Sequence, residues 1–231
     1  MNMALQPTTG ADVLAEATSL FKLPTLERLQ EQEEDELKRH FAEVLTKLVT
    51  ALKAKDQQLY WHSYRVRHFA QHLTKLLNLP GGVMTAVNVA ALFHDIGKIS
   101  ISTKLLHKAS RLTIYEFEQI KEHPTRGAIM LHQYGIFDQA VPLVHCHHER
   151  WDGTGYPNGL RGNTIPLGAR IVAIADAFEV MTSHSRAYQQ PRTPLEALEE
   201  IRRCAGTQFD PTLAHLFCIN LKTNLQTRAI N

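Results

Sequence analysis

Hydrophobic residues recur through most of this chain at the spacing of an α-helix, and the alternation typical of a strand is almost absent. The first clear stripe alternates steps of four and three residues and consists of Leu37, Phe41, Val44, Leu48 and Ala51. Such a stripe predicts a helix, and it suits equally a helix packed on its own domain and a short dimerising helix. A less regular segment before it predicts a short helix over residues 11–21, ended by Pro24.

Further helices are marked by their periodicity and by the residues at their ends. Thr113 and Glu116 stand three positions apart as a capping box, and Thr193 and Glu196 repeat this pattern around Pro194. The predicted helices cover residues 56–78, 83–95, 113–123, 124–134, 137–150 and 166–183, two more begin at Thr193 and Asp210, and the glycine-rich segment 151–164 is a predicted loop. The pattern therefore predicts an all-α fold, a compact multi-helix bundle with a short helical N-terminal extension.

The composition is that of an ordinary globular domain. Of the 231 residues 44% are apolar and 21% charged, and 25 basic residues against 23 acidic ones leave a net charge of +2. This balance gives no electrostatic reason to expect a nucleic-acid polymer or a membrane as a partner. The cysteines, Cys146, Cys204 and Cys218, are too far apart for a disulfide scaffold or a thiolate zinc site. Without a secretory leader or a long apolar run, a cytoplasmic location is predicted.

Histidine is the one unusual count, at 13. Asp176 lies inside the apolar run Ile171–Phe178, and Asp95 follows the apolar run 87–93 and His94, so both carboxylates are predicted to be buried. A buried carboxylate needs a charged partner or a cation. Imidazole and carboxylate donors without thiolates favour a divalent transition metal. The candidate segments are His62, His94-Asp95, His123, residues 145–149 and Asp176.

Two of these segments extend into motifs that resemble a known family. Leu92–Lys98 reads LFHDIGK and His147–Pro157 reads HHERWDGTGYP. Together they are similar to an HD-GYP domain, a branch of the HD superfamily of metal-dependent phosphohydrolases. Further landmarks of that family are matched by His62 with Arg65, by Lys121 with His123, and by the segment Ile165–Asp176. The resemblance covers about residues 56–220 and implies an HD-type bundle.

The resemblance also implies a site with two metal ions. By analogy, one ion would be held by His62, His94, Asp95 and Asp176, and the second by His123, His147 and His148, with Asp95 bridging. Iron or manganese are the leading candidates, and nickel and zinc are also suitable. Some members bind a third metal through a glutamate one turn before the first histidine. That position is Gln58 here, so two ions are expected.

The implied activity is that of a bacterial signalling phosphodiesterase. Such an enzyme hydrolyses cyclic di-GMP to pGpG, with GMP as an open further product, by attack of a water or hydroxide that bridges the two ions. Asp95 and Lys98 are the implied catalytic residues. The implied substrate contacts are Lys98, Arg186, Gly155, Tyr156 and Pro157.

The segment after Asp176 departs from the family pattern. It has one extra residue before Arg186, Ala187 in place of a proline, and Gln189 and Gln190 in place of a basic residue. This thins the expected clamp on the substrate phosphate. Two alternatives therefore stay open: a dimetal phosphohydrolase of another cyclic dinucleotide or nucleotide, and a slow, metal-loaded domain that signals by binding nucleotide or protein.

The domain organisation follows from the extent of the resemblance. Residues 56–222 are the predicted HD-GYP domain, residues 1–55 a helical extension for dimerisation or signal input, and residues 223–231 a C-terminal tail. The expected partners are a cyclic dinucleotide, diguanylate cyclase domains through the Gly155-Tyr156-Pro157 loop, and a second copy of the chain through the N-terminal helix.

Overall fold

A computed structural model describes residues 31–183 and 190–230 of the chain. Over these ranges the protein is all-α, with no strand beyond an isolated bridge between Ala205 and Phe209, which confirms the predicted fold class. In chain order the helices are α1 (Glu31–Lys55), α2 (Gln57–Leu76), α3 (Gly81–Phe93), α4 (Thr103–Leu106), α5 (Ile114–Lys121), α6 (His123–His132), α7 (Val141–His145), α8 (Leu167–Thr182), α9 (Pro194–Arg203) and α10 (Pro211–Ile230). Two short 3-10 helices, Ile96–Ser100 and Gly162–Thr164, lie in the connections. The helix predicted over residues 11–21 lies outside the described residues.

Three helices, α2, α3 and α8, pack against one another and form the centre of the fold. Helix α3 is apolar on most sides, and every residue from Ala86 to Phe93 is buried. Phe178 of α8 stands between Phe69 of α2 and Phe217 of α10, at ring-centroid distances of 4.8 and 5.4 Å. A helix that is hydrophobic on most sides is stable only when neighbours cover it. Helices α2, α7 and α8 provide that cover for α3.

The apolar stripe of α1 packs within this chain. Its buried members are Phe41, Val44, Leu45, Leu48, Val49 and Leu52, and they belong to the same hydrophobic core as α2 and α3. At its end, the Lys55 ammonium donates a hydrogen bond to the carbonyl of Ile101. Ala51, at the end of the predicted stripe, is exposed. Of the two readings of the stripe, the structure therefore supports packing on its own domain, and a dimer through the rest of α1 stays a prediction.

Several helix starts agree with the signals in the sequence. Asp56 precedes α2, and its Oδ1 accepts hydrogen bonds from the backbone amides of Gln58 and Leu59. The capping boxes predicted at Thr113 and at Thr193 are both present, at the starts of α5 and α9. Each cap satisfies amides that a helix leaves without a partner at its N-terminus.

The helix predicted over residues 137–150 is wrong in its extent. Only Val141–His145 is helical, and the chain turns at Cys146. The apolar spacing does not reveal where the helix begins, because Phe137 is buried although it lies outside the helix. The end of the helix at His145 changes the direction of the side chains that follow. Consecutive side chains of an α-helix point about 100° apart and diverge, whereas the rings of His147 and His148 lie side by side, with their centroids 4.1 Å apart.

The remaining connections follow the prediction closely. Residues 151–164 form a loop that ends in the 3-10 helix Gly162–Thr164. The backbone of α10 is helical through Ile230 and so includes residues 223–230 of the predicted C-terminal tail. Among the described residues, no helix has the length and apolar character needed to cross a bilayer.

We predict that α1 is part of the cooperative core. Leu52 is fully buried, so Leu52→Ala should lower the free energy of unfolding by about 2–5 kcal/mol through lost burial and the cavity that remains. Lys47→Ala, at an exposed position of the same helix, should change it by less than about 0.5 kcal/mol. Urea denaturation followed by circular dichroism measures both. Equal stability of Leu52→Ala and the parent protein would show that α1 is dispensable.

Candidate metal centre

The seven metal-ligand candidates come from five places in the fold. His62 lies within α2, His94 and Asp95 directly follow α3, His123 is the first residue of α6, and Asp176 lies within α8. His147 and His148 follow α7, in the turn that ends it. The central packing of α2, α3 and α8 brings the first of these side chains together, and α6 and α7 add the others.

A first group of donors consists of His62, His94, Asp95 and Asp176. Nε2 of His62 is 3.2 Å from Nε2 of His94 and 3.1 Å from Oδ1 of Asp176. Oδ2 of Asp95 is 3.5 Å from Nε2 of His94 and 3.8 Å from Nε2 of His62. The ligand atoms of His62, His94 and Asp95 thus all lie within 4.8 Å of one another, and Oδ1 of Asp176 joins them through His62 and through His94, whose Nε2 is 3.8 Å away.

A second group consists of Asp95, His123, His147 and His148, whose potential ligand atoms all lie within 4.8 Å of one another. Nε2 of His123 is 3.3 Å from Nε2 of His147 and 3.1 Å from Oδ1 of Asp95. Asp95 therefore belongs to both groups and faces each with a different carboxylate oxygen.

The tautomers of three imidazoles are fixed by their backbone partners. Nδ1 of His94, His123 and His147 lies 2.8, 2.7 and 2.6 Å from the carbonyl oxygen of the residue three positions earlier. A carbonyl only accepts hydrogen bonds, so each Nδ1 carries a hydrogen and donates it. The carbonyls lie in the last turns of α3, α5 and α7, where a helix leaves carbonyls without an internal partner. In the neutral rings, Nε2 is then left as a lone pair facing the site.

His62 lies in the middle of a helix, where backbone carbonyls are already used, and it has a side-chain partner instead. Its Nδ1 contacts Oε2 of Glu179, which is buried one turn after Asp176 on α8. Nε of Arg65 donates to the other oxygen of Glu179 at 2.6 Å. A carboxylate in this position fixes the orientation of a metal-binding imidazole and increases its basicity.

These donors fit a cation better than they fit one another. Oδ1 of Asp95 is a buried carboxylate oxygen without a hydrogen bond of acceptable geometry, although Nε2 of His123 is 3.1 Å away. In their neutral forms, His123 and His147 present Nε2 lone pairs that lie 3.3 Å apart and repel each other unless a cation lies between them. Imidazole nitrogen and carboxylate oxygen are ligands that divalent transition metals accept. The residues present therefore fit the metal that the sequence predicts.

The electrostatic field of the site keeps both carboxylates ionised. Burial alone raises the pKa of Asp95, but the charges of Lys98 and His94 outweigh it and hold that pKa well below its usual range. The pKa of Asp176 is likewise lowered, because its hydrogen bond and charge interaction with His62 exceed the effect of burial. Both groups are thus available as anionic donors at neutral pH.

The histidines of the two groups differ in their charge preference. Burial, the neighbouring His148 and other imidazoles hold the pKa of His147 well below its usual range, and burial lowers that of His148 to about 4. Burial also acts to lower the pKa of His62, but hydrogen bonds to Asp176 and Glu179 dominate and raise it to about 10. In the metal-free protein, His62 therefore favours its protonated form, whereas His147 and His148 favour their neutral forms.

Two glycines allow the segments of the site to approach closely. A Cβ at Gly97 would lie 2.0 Å from the carbonyl oxygen of His123 and 2.7 Å from the amide of Gly127. A Cβ at Gly155 would lie 2.4 Å from the amide of Arg150. Both distances are far below van der Waals contact, so any side chain would push the segment after Asp95 away from α6 and the loop away from the His147-His148 turn.

Lys98 lies beside the two groups, in the 3-10 helix that follows Asp95. Its Nζ donates to Oδ2 of Asp95 at 2.6 Å. It lines an open cleft of about 250 Å³ together with His62, Asp95, His148, Asp176, Asp56, Gln58, Leu59, His107 and Val180. A fixed cation and four of the seven candidate metal ligands therefore share one cleft.

The Gly155-Tyr156-Pro157 loop contacts the site from outside this cleft. The ring of Tyr156 packs on the ring of His148 at a centroid distance of 4.9 Å, and its amide donates to the His148 carbonyl. None of the three predicted substrate contacts in this loop is among the residues that line the cleft. Arg186, the remaining predicted contact, lies outside the described residues.

Sequence reasoning missed the residues that support the site. Glu179 was visible as a carboxylate three positions after Asp176 in an apolar helix, which is a usable signal. Glu149 and His145 lie in the candidate segment 145–149 but in neither donor group. The buried carboxylate of Glu149 accepts the amides of Asn158 and Leu160 at 2.7 and 3.0 Å and so holds the loop. Nε2 of His145 lies 3.2 Å from the Thr125 hydroxyl.

Comparisons with known proteins agree with this architecture. A family model described as HD domain matches residues 25–213. The chain belongs to the HD domain family. The predicted resemblance to the HD superfamily is thereby confirmed, and a divalent metal site is expected of such a domain.

Two curated relatives are named as phosphodiesterases. One, from Thermotoga maritima, is named cyclic di-GMP phosphodiesterase and is 35% identical over 198 residues, 85% of this chain and 54% of its own length. Another, from Vibrio cholerae, is named 3'3'-cGAMP-specific phosphodiesterase 2 and is 32% identical over 183 residues, 78% of this chain and 35% of its own length. The chain thus spans about half or less of the relatives it matches.

A solved structure shares the fold. Bd1817, titled an HDG"Y"P protein from Bdellovibrio bacteriovorus, aligns with a TM-score of 0.60 at 18% identity, over 96% of this chain and 75% of that one. The similarity supports the HD-type arrangement of helices.

We predict that Glu179 positions His62 for metal binding. Glu179→Gln removes the charge that orients the ring and should weaken metal affinity by about 10–100-fold. Metal competition against a chelator measures the change, and circular dichroism checks that the fold is intact. Glu118→Gln, on the exposed face of α5, is the matched control and should leave affinity unchanged. Equal affinities of the two variants would remove Glu179 from the site.

We also predict that metal binding depends on pH through His62. A raised pKa favours the protonated ring, so a proton competes with the cation, and affinity should rise about tenfold per pH unit between pH 7 and 9. His147 and His148 are already neutral there and add no dependence. Calorimetry in buffers of different ionisation enthalpy counts the protons released. His62→Gln keeps the second donor group and should release about one proton fewer; the same release in both proteins would contradict the assignment.

Proposed function

We propose that this HD domain hydrolyses a phosphodiester bond of a cyclic dinucleotide, with cyclic di-GMP as the leading substrate and pGpG as the product. The observation that carries the proposal is the pair of donor groups that share Asp95 beside a cleft lined by Lys98. The names of the relatives support the same class of substrate. Further hydrolysis of pGpG to GMP would use the same chemistry.

The donor set suits two divalent ions. His62, His94, Asp176 and Oδ2 of Asp95 would hold one, and His123, His147, His148 and Oδ1 of Asp95 would hold the other. Iron and manganese are the leading candidates for these ions, and nickel and zinc are the alternatives. When bound, such ions lower the pKa of a coordinated water and stabilise charge on phosphoryl oxygens. Gln58 offers only a neutral amide at the cleft, which supports two ions rather than three.

Lys98 is proposed to bind the scissile phosphate. Its ammonium lies in the cleft and is held by Asp95 at 2.6 Å, so its position is fixed before any substrate arrives. A preorganised positive charge stabilises the negative charge that develops on phosphoryl oxygens in the transition state. Asp95 thus has two proposed tasks, since it joins both donor groups and orients Lys98.

The loop contacts are proposed to act through His148. Tyr156 packs on that ring and Gly155 permits the close approach, so the loop limits how His148 can move. A nucleotide larger than the 250 Å³ cleft would extend towards neighbouring surfaces, where Tyr156 and Pro157 are the proposed contacts. Arg186 stays a predicted phosphate contact.

A second candidate substrate is 3'3'-cGAMP. A relative named as specific for that dinucleotide is 32% identical, close to the 35% of the relative named for cyclic di-GMP. Both molecules carry the same phosphodiester and differ in one base. The altered segment after Asp176 is the part of the chain most able to change the preference.

The remaining expectations stay predictions from the sequence. Residues 1–55 are predicted to serve signal input or dimerisation, and residues 56–222 to carry the catalytic domain. The Gly155-Tyr156-Pro157 loop is predicted to contact diguanylate cyclase domains, and the predicted location is the cytoplasm.

The function is tested by incubating the protein, loaded with manganese or with ferrous iron, with cyclic di-GMP, 3'3'-cGAMP and cyclic di-AMP. Mass spectrometry of the products should show pGpG from cyclic di-GMP, and a chelator should stop the reaction until metal is restored. Turnover of 3'3'-cGAMP alone would favour the second candidate. Tight nucleotide binding without turnover would favour a signalling module.

We predict that Lys98→Met lowers kcat by about 100–1,000-fold, because it removes a charge that stabilises the transition state. Metal content should stay the same, since the change leaves every proposed ligand in place. Lys104→Met, an exposed lysine of the adjacent helix α4, should keep full activity. Activity assays paired with elemental analysis check both. Full activity of Lys98→Met would exclude this role.

A further inference from the structure

A histidine outside both donor groups lies at the same cleft. His107 directly follows α4, and its Nε2 is 3.2 Å from Oδ2 of Asp56. The side chain of His107 is 52% exposed and that of Asp56 is 16% exposed. Both residues line the cleft that holds Lys98 and Asp95.

Asp56 is fixed because its two oxygens have separate partners. Oδ1 caps α2 by accepting the amides of Gln58 and Leu59, and Oδ2 faces His107. The cap ties the carboxylate to the helix that carries His62, so the imidazole is positioned relative to the donor groups. With Nε2 directed at Asp56, the ring can carry a second proton on Nδ1, the nitrogen free to meet a ligand.

The cleft contains few other groups that can donate a proton. His62, His148, Asp95 and Asp176 belong to the donor groups, and Gln58 is not an acid. Lys98 is engaged with Asp95 at 2.6 Å. Lys108, next to His107, is paired with Glu116 at 2.6 Å and does not line the cleft. Apart from Asp56, which caps α2 and faces His107, His107 is thus the titratable group of the lining that neither the ligand set nor Lys98 accounts for.

We propose that His107 is the general acid of the reaction, held by Asp56 as its positioning residue. This inference rests on the proposed function. When water attacks phosphorus, a new P–O bond forms, the bond from phosphorus to the sugar 3'-oxygen breaks, and one proton of the attacking water is released to solvent. The leaving oxygen takes the electron pair of that bond and the proton from Nδ1 of His107. The neutral imidazole then regains a proton from solvent, so no other reactant is needed.

Substrates whose leaving groups differ in basicity provide the most direct test of this role. A sugar alkoxide is strongly basic and needs a proton, whereas nitrophenolate leaves without one. His107→Gln should therefore lower kcat for cyclic di-GMP by about 100-fold or more and change the rate with bis(p-nitrophenyl) phosphate by less than about threefold. The parent protein is assayed with both substrates under the same metal loading.

Two further variants separate catalysis from folding. Asp56→Asn keeps a good helix cap but removes the charge beside His107, so it should show the same selective loss to a smaller extent. His132→Gln is the matched control: His132 is also an exposed histidine facing an aspartate, with Nδ1 3.6 Å from Asp138, and it does not line the cleft. It should leave both rates unchanged.

The outcomes distinguish this inference from the proposed function. An equal loss with both substrates in His107→Gln, or no loss with either, would overturn the role of His107 while leaving the function intact. If the parent protein hydrolyses bis(p-nitrophenyl) phosphate but no cyclic dinucleotide, the proposed substrate is wrong, and the comparison is repeated with the linear dinucleotide GpG. Failure of a selective loss there as well would overturn the inference.

Discussion

The constraint on which the structure depends is a full negative charge on Asp95, a residue only 2% exposed. An isolated buried carboxylate is costly and must be compensated by charge or hydrogen bonds. Here Lys98 from the following turn supplies a positive charge at 2.6 Å, and His94 from the end of α3 and His123 from α6 place ring nitrogens beside the carboxylate, where a shared cation would complete the compensation. The helices and turns that stabilise the charge of Asp95 are the same ones that carry the other groups of the site. Stabilising this one carboxylate therefore also assembles the metal centre.

The ends of helices are the second theme of the structure. His94, His123 and His147 each orient their rings on a carbonyl from the last turn of a helix, a group that the helix cannot use internally. His62 lies within a helix and needs the buried Glu179 instead. The difference explains why one imidazole depends on a charged neighbour, whereas the other three are held by the backbone.

The sequence predicted the fold class, the capped helix starts and the candidate ligands, because periodicity, caps and short motifs are local signals. It failed where the deciding contact is distant along the chain. The pattern of apolar residues does not show that α7 ends at His145, because it contains no information on the directions of the His147 and His148 side chains. Glu179 meets His62 across 117 positions, and only the packing of α2 on α8 reveals their pairing. The burial of α1 likewise needed the tertiary structure, since its stripe suits a partner helix equally well.

The contact at Gly97 has a consequence for the choice of ion. Backbone meets backbone there with no side chain between the segment after Asp95 and the start of α6, and a single methyl group would find the His123 oxygen 2.0 Å away. The two main-chain segments therefore cannot approach each other further at this point, so a smaller cation would be met by rotation of the rings rather than by closer approach of the backbone. Selectivity for the ionic radius of the metal would then be determined by the backbone. Substitution of an individual ligand would change the metal affinity more than it changes the preferred ionic radius.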